Sequence, residues 1–212
     1  MYVKEYHVIQ SNQNESTKTI RDEYAEQTRA EILKSARTIF AKTGFTASSL
    51  QQIAKKAGVT RGALYHHFKN KEDIFLAVFR SLQAEMIEKL WEEGTAKAEN
   101  SWTGVSVVLS AFLENSQDEE YRQIVLLEGP GALGWAQWRK VEEEYALGFI
   151  RHLIDGLKAE GKIINANRDA LATMVLGVTI ESSLALAMNE DADSHADIKQ
   201  IAERMVSSLM PD

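Results

Sequence analysis

Residues 46–73 read TASSLQQIAKKAGVTRGALYHHFKNKED, and this pattern predicts two short helices joined by a tight turn and followed by the start of a third helix. Ser48 and Ser49 are suited to cap the first helix, because a hydroxyl oxygen can accept a hydrogen bond from a backbone N–H group at a helix start. Gly58 tolerates the positive φ that ends a helix, and Thr60 can cap the second helix. The apolar residues recur at helical spacing: Leu50, Ile53, Ala54, Ala57, Leu64 and Phe68.

A helix, a short turn containing glycine and a second helix are typical of the helix-turn-helix motif, whose second helix enters the major groove of DNA. Arg61 stands at the start of the second helix, where its guanidinium can reach base edges or phosphate groups. Tyr65 and His66 follow one helical turn later and can donate hydrogen bonds to phosphate oxygens. The side chains expected to be exposed on this helix are Thr60, Arg61, Gly62, Tyr65, His66 and His67.

The start of the first of these two helices is a second candidate for phosphate contact. Backbone N–H groups at a helix start can bind an anion, which makes Ser48, Ser49 and Gln51 candidates. The alternative is that Ser48 and Ser49 serve only as caps, and that His67 packs partly against the base of its helix. The pair His66-His67 does not predict a metal site, because adjacent helical residues point about 100° apart and do not converge on one ion.

The same segment resembles the DNA-binding domain of the TetR (tetracycline-repressor-like) family of transcriptional regulators, over about residues 25–80. The matching residues occur in order and without gaps: Gly44-Phe45, Ser48-Ser49, Ile53-Ala54, Ala57-Gly58-Val59-Thr60, Gly62, Leu64-Tyr65, His67-Phe68 and Lys71-Glu72. The resemblance implies phosphate contacts by Tyr65, His67 and Lys71. It implies that the base-facing residues are those at positions 60–63 and 66, namely Thr60, Arg61, Gly62, Ala63 and His66.

The charge of the chain is divided unevenly along its length. Residues 18–71 contain eleven Lys or Arg and four acidic residues, a net charge of +7, whereas residues 72–212 carry −13 and the whole chain carries −7. A basic amino-terminal part joined to an acidic remainder is expected of a phosphate-binding domain attached to a solvated regulatory domain. The alternative is a chance asymmetry in an ordinary helical protein.

The composition predicts an all-α protein. Apolar residues make up 44% of the 212 residues, there are only 2 prolines, and the apolar positions repeat at helical spacing. We expect a polar amino-terminal arm at 1–22, a helix-turn-helix DNA-binding domain of three helices at 23–71, and a helical ligand-binding and dimerisation domain at 72–212. The last of these begins with a connecting helix at 72–93, and Gly94 with the polar residues after it is expected to form a hinge or loop.

Glycine, proline and charge mark where the helices should end. Gly44 is expected to end the first helix, and Gly129-Pro130-Gly131 to interrupt the chain, since proline flanked by glycines does not continue a helix. Glu142, Glu143 and Glu144 are expected to form a solvated face. The predicted helices outside the helix-turn-helix and the connecting helix lie at about 24–43, 102–113, 119–128, 133–160, 169–189 and 196–210.

A second candidate site lies in the helical domain, where aromatic residues fall on three successive predicted helices. Helical domains of this size can enclose an apolar cavity, and in TetR-like proteins such a cavity binds a small inducer. His152 and Glu181 are the polar residues expected to face it, because an ionised Glu181 inside an apolar helix would need a partner. The alternative is that the aromatic residues simply fill the core. The candidate ligand contacts are Trp102, Phe112, Tyr121, Trp135, Trp138, Phe149, His152, Met174 and Glu181.

The last two predicted helices carry more apolar surface than one small domain can cover. Gly177, Ala185 and Ala187 would let helices approach closely, and packing against twofold mates would give a four-helix interface of the kind found in the TetR family. We therefore expect a homodimer formed through these two helices. The alternative is complete burial within a single chain.

Several classes of function are disfavoured by what the sequence lacks. There is no cysteine, which excludes disulfides, thiolate chemistry and cysteine-based zinc sites. No catalytic constellation, metal site or cofactor motif is evident, and no apolar run suits a membrane span.

The function expected from these patterns and from the resemblance is transcriptional regulation. The predicted protein is a cytoplasmic homodimeric repressor that binds a palindromic operator on double-stranded DNA and is released by a small-molecule inducer of unknown identity. An all-helical enzyme and a helical adaptor that no longer binds DNA are the alternatives.

Overall fold

The computed structural model describes residues 20–97, 101–189 and 191–211, and these residues form helices and connecting turns without any strand. The all-α prediction is therefore confirmed for the described part of the chain. Most of the polar arm predicted at 1–22 lies outside the described residues, and its last residues, Ile20 to Asp22, already belong to the first helix. The chain divides into two compact units, one ending at Val78 and one beginning at Phe79.

The division between the units falls inside a helix, a few residues after the domain boundary expected from the sequence. The first unit contains α1 (Ile20–Ala47), α2 (Leu50–Ala57), α3 (Arg61–His67) and the start of α4 (Lys71–Lys97). The second contains the rest of α4 and then α5 (Ser101–Asn115), α6 (Glu119–Tyr121), α7 (Gly129–Glu142), α8 (Gly148–Ala159), α9 (Arg168–Met188) and α10 (Ala192–Ser207). Two π-helical segments, Arg122–Glu128 and Glu143–Leu147, join α6 to α7 and α7 to α8.

Three phenylalanine rings form the centre of the first unit. The ring centroid of Phe75 lies 5.1 Å from those of Phe40 and Phe45, in edge-on arrangements. Gly44 has a φ of 74° and breaks α1, as predicted, which allows Phe45 to turn back into this core. Leu64 packs the inner side of α3 and is fully buried, so the opposite side of α3 faces outward.

α4 is longer than the predicted connecting helix, because Gly94 does not act as a hinge. The helix continues to Lys97, and Gly94 is buried within it. A β-carbon at Gly94 would lie 2.7 Å from Cγ2 of Val108, so glycine is what allows α4 and α5 to approach closely. Residues 98–100 of the predicted loop lie outside the described residues.

The interruption predicted at Gly129-Pro130-Gly131 is wrong. Helical backbone continues through Gly129, whose missing side chain makes room for the ring of Phe79. Pro130 sits in the first turn of α7, where proline is tolerated. The helix is broken instead at Gly134, with a φ of 71° and a ψ of 156°. The following residues then run as one helical stretch to Ala159, close to the predicted end.

The second unit is held together by two apolar clusters. One joins α8 to α9 through Ile154, Leu157, Leu171 and Leu176. The other joins α5, α9 and α10 through Leu109, Leu113, Leu186, Ala202 and Val206. These clusters fix the helices that surround the cavity described below.

The outer side of α9 and α10 carries exposed large apolar side chains beside polar ones such as Glu181 and Arg204. Met174 and Met188 on α9 are 64% and 77% exposed, and Ile201 and Met205 on α10 are 56% and 53% exposed. Complete burial of these helices within one chain is therefore wrong. By length and composition α9 could also cross a membrane, which corrects the sequence-based expectation, although core helices of globular proteins meet the same criterion.

Candidate DNA-binding surface and ligand cavity

The first turn of α2 is built around Ser49. Its backbone is extended, and its hydroxyl oxygen accepts a hydrogen bond from the N–H group of Gln52 at 3.3 Å. The side-chain carbonyl of Gln52 accepts in return from the N–H group of Ser49 at 2.8 Å, which completes a capping box. Gly58 ends α2 with a φ of 67°. The start of α2 is therefore rigid, and it presents the exposed side chain of Gln51.

Ser48 does not join the surface that the sequence predicted. Its side chain is only 5% exposed, and its hydroxyl donates a hydrogen bond to the carbonyl oxygen of Phe45 at 2.6 Å. Its N–H group donates to the same oxygen at 3.3 Å. Both donors of Ser48 are thus used inside the fold. The role of Ser48 is structural, but it is not the expected cap, because Ser49 alone caps α2.

Lys71 binds the same turn from the other side. Its ammonium donates hydrogen bonds to the carbonyl oxygens of Phe45 at 2.6 Å and Ser48 at 2.8 Å, and it lies 4.3 Å from the centroid of the Phe45 ring. Charge-assisted hydrogen bonds of this kind are stronger than neutral ones. Lys71 therefore ties the start of α4 to the turn between α1 and α2.

The outer face of α3 carries the side chains predicted for DNA contact. Thr60 caps the helix, since its hydroxyl oxygen accepts from the N–H group of Ala63 at 3.1 Å. Arg61 and Tyr65 are exposed one turn apart; the guanidinium carbon lies 5.4 Å from the centroid of the phenol ring, and a guanidinium N–H donates to the phenol oxygen at 3.5 Å. Gly62 is exposed beside them and adds no side chain.

The two histidines at the end of α3 differ in their surroundings. His66 is exposed, and His67 is half-buried, with the two ring centroids 5.4 Å apart. Burial, followed by the positive charges of His66 and Arg29, lowers the pKa of His67 below its usual 6.5. A neutral His67 ring can still donate one hydrogen bond to a phosphate oxygen. Among the described residues no group of three or more potential ligands could hold a metal ion.

A cavity of about 390 Å³ lies inside the second unit. All six aromatic residues that the sequence suggested for a ligand site line it: Trp102, Phe112, Tyr121, Trp135, Trp138 and Phe149. Trp135 is 70% exposed and stands at the rim, with its ring centroid 5.0 Å from that of Trp138. The remaining walls are almost entirely aliphatic side chains from α4, α5 and α7 to α10. A cavity of this size and lining suits a small apolar ligand.

Three linked polar side chains interrupt the apolar lining. The hydroxyl of Tyr121 donates a hydrogen bond to Oε1 of Gln83 at 3.0 Å, and Nε2 of Gln83 donates to Oε1 of Glu142 at 2.5 Å. All three residues are buried, and Glu142 is only 4% exposed. Burial raises the pKa of Glu142 from 4.5 to about 7, against the lowering effects of Arg139 and of the Gln83 hydrogen bond. Burial, followed by the charge of Glu142, raises the pKa of Tyr121 well above 10.

Glu142 is the functional candidate that the sequence-based interpretation missed, because all three glutamates at 142–144 were expected to be solvated. That expectation is wrong for Glu142, which is buried. It is correct for Glu143, whose side chain is 56% exposed. A signal for the inward position of Glu142 was available. It stands four residues after Trp138 and three before Tyr145, at the spacing of the buried face of its helix.

The expected polar contacts of the cavity are corrected by the structure. Glu181 is exposed on the outer side of α9, in line with Met174, so neither residue lines the cavity. His152 lies apart from it and lines a smaller pocket of about 200 Å³, where its ring centroid is 5.2 Å from that of Trp91. The polar groups of the main cavity are instead Gln83, Tyr121, Glu142 and Thr179.

Comparison with known proteins identifies both parts of the chain. Residues 32–78 match the tetR family of bacterial regulatory proteins, and residues 102–209 match the tetracyclin repressor-like C-terminal domain. The HTH-type transcriptional repressor AcnR of Corynebacterium diphtheriae is 41% identical over 197 residues, which cover 86% of this chain and 93% of that protein.

Solved structures agree with these matches. A TetR-family transcriptional regulator from Pectobacterium atrosepticum has a TM-score of 0.78 at 31% identity, over 89% of this chain and 97% of that one. The transcriptional regulator FadR from Bacillus subtilis, solved in complex with stearoyl-CoA, shares the fold with a TM-score of 0.69 at 22% identity, over 84% and 97% of the two chains. This chain, whose helix-turn-helix is formed by α2 and α3, therefore belongs to the TetR family of transcriptional regulators.

Proposed function

We propose that this regulator is a homodimeric repressor, which binds a palindromic operator through α3 and releases it when a small-molecule inducer occupies the cavity of the second unit. The observation that carries the proposal is the outward-facing pair Arg61 and Tyr65 on a capped α3, in a part of the chain with a net charge of +7. A cation and a phenol held on a rigid helix are suited to base edges and phosphate groups.

The proposed DNA contacts follow from exposure and hydrogen bonding. Arg61 and His66, with Thr60, Gly62 and Ala63 beside them, are assigned to the bases. Tyr65, His67 and Lys71 are assigned to phosphate, together with the start of α2 at Ser49 and Gln51. Lys71 is assigned to phosphate through its charge, because its ammonium already donates hydrogen bonds to two carbonyl oxygens. It adds positive charge close to the helix-turn-helix. Ser48 is left out, because both its donors are used inside the fold.

The proposed dimer forms through the exposed apolar side of α9 and α10. Exposed methionine and isoleucine side chains on two neighbouring helices of one chain would be covered by the same helices of a second copy. Gly177 faces open space on this side of α9, so a partner helix can approach it closely. Two α3 helices related by a twofold axis would then read two half-sites roughly 34–36 Å apart.

Release of the operator is proposed to follow from linkage between the two ligands. An inducer that binds better to the conformation with low DNA affinity must weaken DNA binding, and DNA must weaken inducer binding by the same factor. The coupling free energy in such systems is typically about 1–3 kcal/mol. Helix α4 contains the division between the two units and is proposed to carry the displacement.

The proposed place of action is the cytoplasm, where the operator is. The exposed apolar side of α9 is assigned to the dimer, and we propose no membrane contact. An enzyme remains disfavoured, since the described residues of the cavity include no nucleophile that is paired with a general base. An adaptor without DNA binding is disfavoured by the exposed Arg61 and Tyr65.

The test is selection of genomic DNA fragments with the purified protein, followed by fluorescence anisotropy on the selected duplex. We expect a palindromic site, two chains for each site, and an affinity that falls steeply with added salt. Arg61→Ala should weaken binding, whereas Lys34→Ala, an exposed lysine of α1, serves as a control for the general loss of one charge. Equal affinity of the wild type and Arg61→Ala for the selected site would contradict the proposal.

A further inference from the structure

The cavity has an unusual distribution of charge. Among the described residues that line it, Glu142 is the one that carries a formal charge, and no lysine, arginine or histidine is present. The carboxylate is held by Gln83, and the amide of Gln83 is in turn oriented by the hydroxyl of Tyr121. The single charged group of the cavity is therefore fixed in position by hydrogen bonds.

The carboxylate of Glu142 has no ion pair with another described residue. The guanidinium of Arg139, one turn earlier on α7, pairs with Glu143 at 3.5 Å, and its charge only partly offsets the effect of burial on the pKa of Glu142. Removing an ionised carboxylate from water without a cationic partner costs several kcal/mol in real proteins. That cost is recovered when a cation enters the cavity and takes the place of the missing partner.

Aromatic rings surround the same space. Six aromatic side chains line the cavity, and the faces of tryptophan, tyrosine and phenylalanine rings attract organic cations. An anionic ligand would meet no positive side chain among the described lining residues and would be repelled by Glu142. A neutral ligand would supply no counter-ion, so the pKa of Glu142 would stay raised by burial.

We propose that the cavity ligand is a lipophilic organic cation, bound by the carboxylate of Glu142 and by the aromatic rings around it. This inference rests on the proposed function, because it names the class of inducer for the same site. It also separates this chain from a regulator that holds an acyl-CoA, whose phosphates and carboxylates bring negative charge. Glu142 is buried, so its ionised carboxylate is poorly hydrated, and its pKa is raised. A bound cation would supply the favourable interaction that water does not.

The test compares three ligands with the same ten-carbon chain and different head groups: decyltrimethylammonium, decan-1-ol and decanoate. Each is titrated below its micelle concentration into the full-length protein at pH 8, and binding is followed by tryptophan fluorescence and by calorimetry. Trp102, Trp135 and Trp138 line the cavity and report its occupancy. We expect the cation to bind at least about tenfold more tightly than the alcohol or the carboxylate.

The variant Glu142→Gln keeps a carbonyl oxygen that can accept from Gln83 and removes the charge. It should lower the affinity for decyltrimethylammonium about tenfold and leave that for decan-1-ol within about twofold. The matched control is Glu143→Gln, which removes an exposed charge at the next position and should change neither affinity. The head-group preference of the wild type tests the inference even if Glu142→Gln does not fold.

Three results would overturn the inference: no binding of the cation by either signal, equal or tighter binding of the alcohol or the carboxylate, or an unchanged cation affinity in a folded Glu142→Gln. Operator binding tests the proposed function separately. A cation that binds in a manner dependent on Glu142 without releasing DNA contradicts ligand-dependent release and leaves the ligand class standing. A protein that binds its operator and shows no preference for the cation contradicts the ligand class alone.

Discussion

The ammonium of Lys71 lies 4.3 Å from the centroid of the Phe45 ring and donates a hydrogen bond to the carbonyl oxygen of the same residue at 2.6 Å. The family resemblance implied a phosphate contact for Lys71. In the structure it also joins the start of α4 to the turn that precedes α2. A substitution at Lys71 is therefore expected to change both stability and DNA binding.

Lys71→Met, which keeps the apolar stem, should destabilise the first unit by about 1.5–3 kcal/mol, the usual effect of losing hydrogen bonds to a charged group. Urea unfolding followed by circular dichroism measures the change. The control is Lys69→Met, at an exposed position two residues earlier, which should stay within about 0.5 kcal/mol of the wild type. Equal stability of both variants would show that the contacts of Lys71 contribute nothing to folding.

Arg61 and Tyr65 should affect DNA binding in different ways. Arg61→Ala is expected to cost about 1–3 kcal/mol of operator binding and to relax the preference for the base pair that it contacts. Tyr65→Phe removes only a hydroxyl that can reach phosphate, so it should weaken binding to operator and scrambled duplexes by the same factor. Anisotropy titrations on both duplexes separate the two effects. A sequence-dependent loss in Tyr65→Phe would reverse the assignment.

Gly94→Ala should destabilise the second unit although alanine favours a helix. The new β-carbon would lie 2.7 Å from Cγ2 of Val108, and overpacking of this kind costs about 1–3 kcal/mol, more than the roughly 0.5–1 kcal/mol gained in helix propensity. Adding Val108→Ala should remove the clash. Gly156→Ala on α8, where nothing lies within 4 Å of the new atom, is the matched control and should stabilise the protein. Thermal unfolding of these three variants and of the wild type tests the sign of each effect.

The raised pKa of Glu142 predicts a stability that falls as pH rises. The folded protein binds the proton of Glu142 more tightly than the unfolded chain does, with pKa values of about 7 and 4.5. The stabilisation from this proton is complete below about pH 4.5 and is lost as pH rises to about 7. Tyr121, whose pKa is raised well above 10 by burial and then by the charge of Glu142, is not expected to change its charge in that range.

Comparison with Glu142→Gln isolates this contribution from the other titrating groups. The unfolding free energy of the wild type, minus that of the variant, should fall by up to about 3 kcal/mol between pH 4.5 and pH 8. Guanidinium titrations at closely spaced pH values provide the measurement. A difference that stays constant over this range would mean that Glu142 titrates normally.

Ile201→Asp on α10 should separate the proposed dimer, because it places a charge in the exposed apolar side of α9 and α10. Size-exclusion chromatography with light scattering would then give the mass of one chain, 23.8 kDa, instead of two. Gln200→Asp introduces the same charge at the neighbouring exposed position, about 100° around the helix, and should leave the assembly intact. A wild type that is monomeric at micromolar concentration would contradict the proposed interface itself.

The helix-turn-helix could be predicted from the sequence because its signals are local. Ser49, Gly58 and Thr60 act through hydrogen bonds and backbone angles within a few residues, and the structure places each in the predicted role. Ser48 could not be separated from Ser49 in this way. Only the three-dimensional turn at Phe45 determines which of the two hydroxyls is buried.

The polar groups of the cavity could not be predicted by residue type alone. Glu181 looked unusual within an apolar helix, but that helix has an exposed side, and a glutamate there needs no partner. Glu142 looked ordinary within a run of three glutamates, and its inward direction follows from its register with Trp138 and Tyr145. Register was the better guide, because the position on a helix determines which way a side chain points.

The break of α7 shows a different limit. Gly129, Gly131 and Gly134 are close together, and each could adopt a positive φ. The contact of Gly129 with the ring of Phe79 involves residues 50 positions apart, so no local pattern reveals that this glycine is needed for space and Gly134 for the turn.

The two π-helical segments let the chain length near the cavity vary without changing the lining. Each wide turn, at Arg122–Glu128 and Glu143–Leu147, accommodates about one residue more than an α-helix would. Deleting one residue from the second segment would let it revert to α-helix, and Phe149 and Leu153 would keep facing the cavity, because the wide turn already absorbs the extra residue. Deleting a residue from a regular part of α8 would instead rotate everything after it by about 100°. Relatives that lack one residue at Glu143–Leu147 are therefore expected to recognise similar molecules where their side chains align.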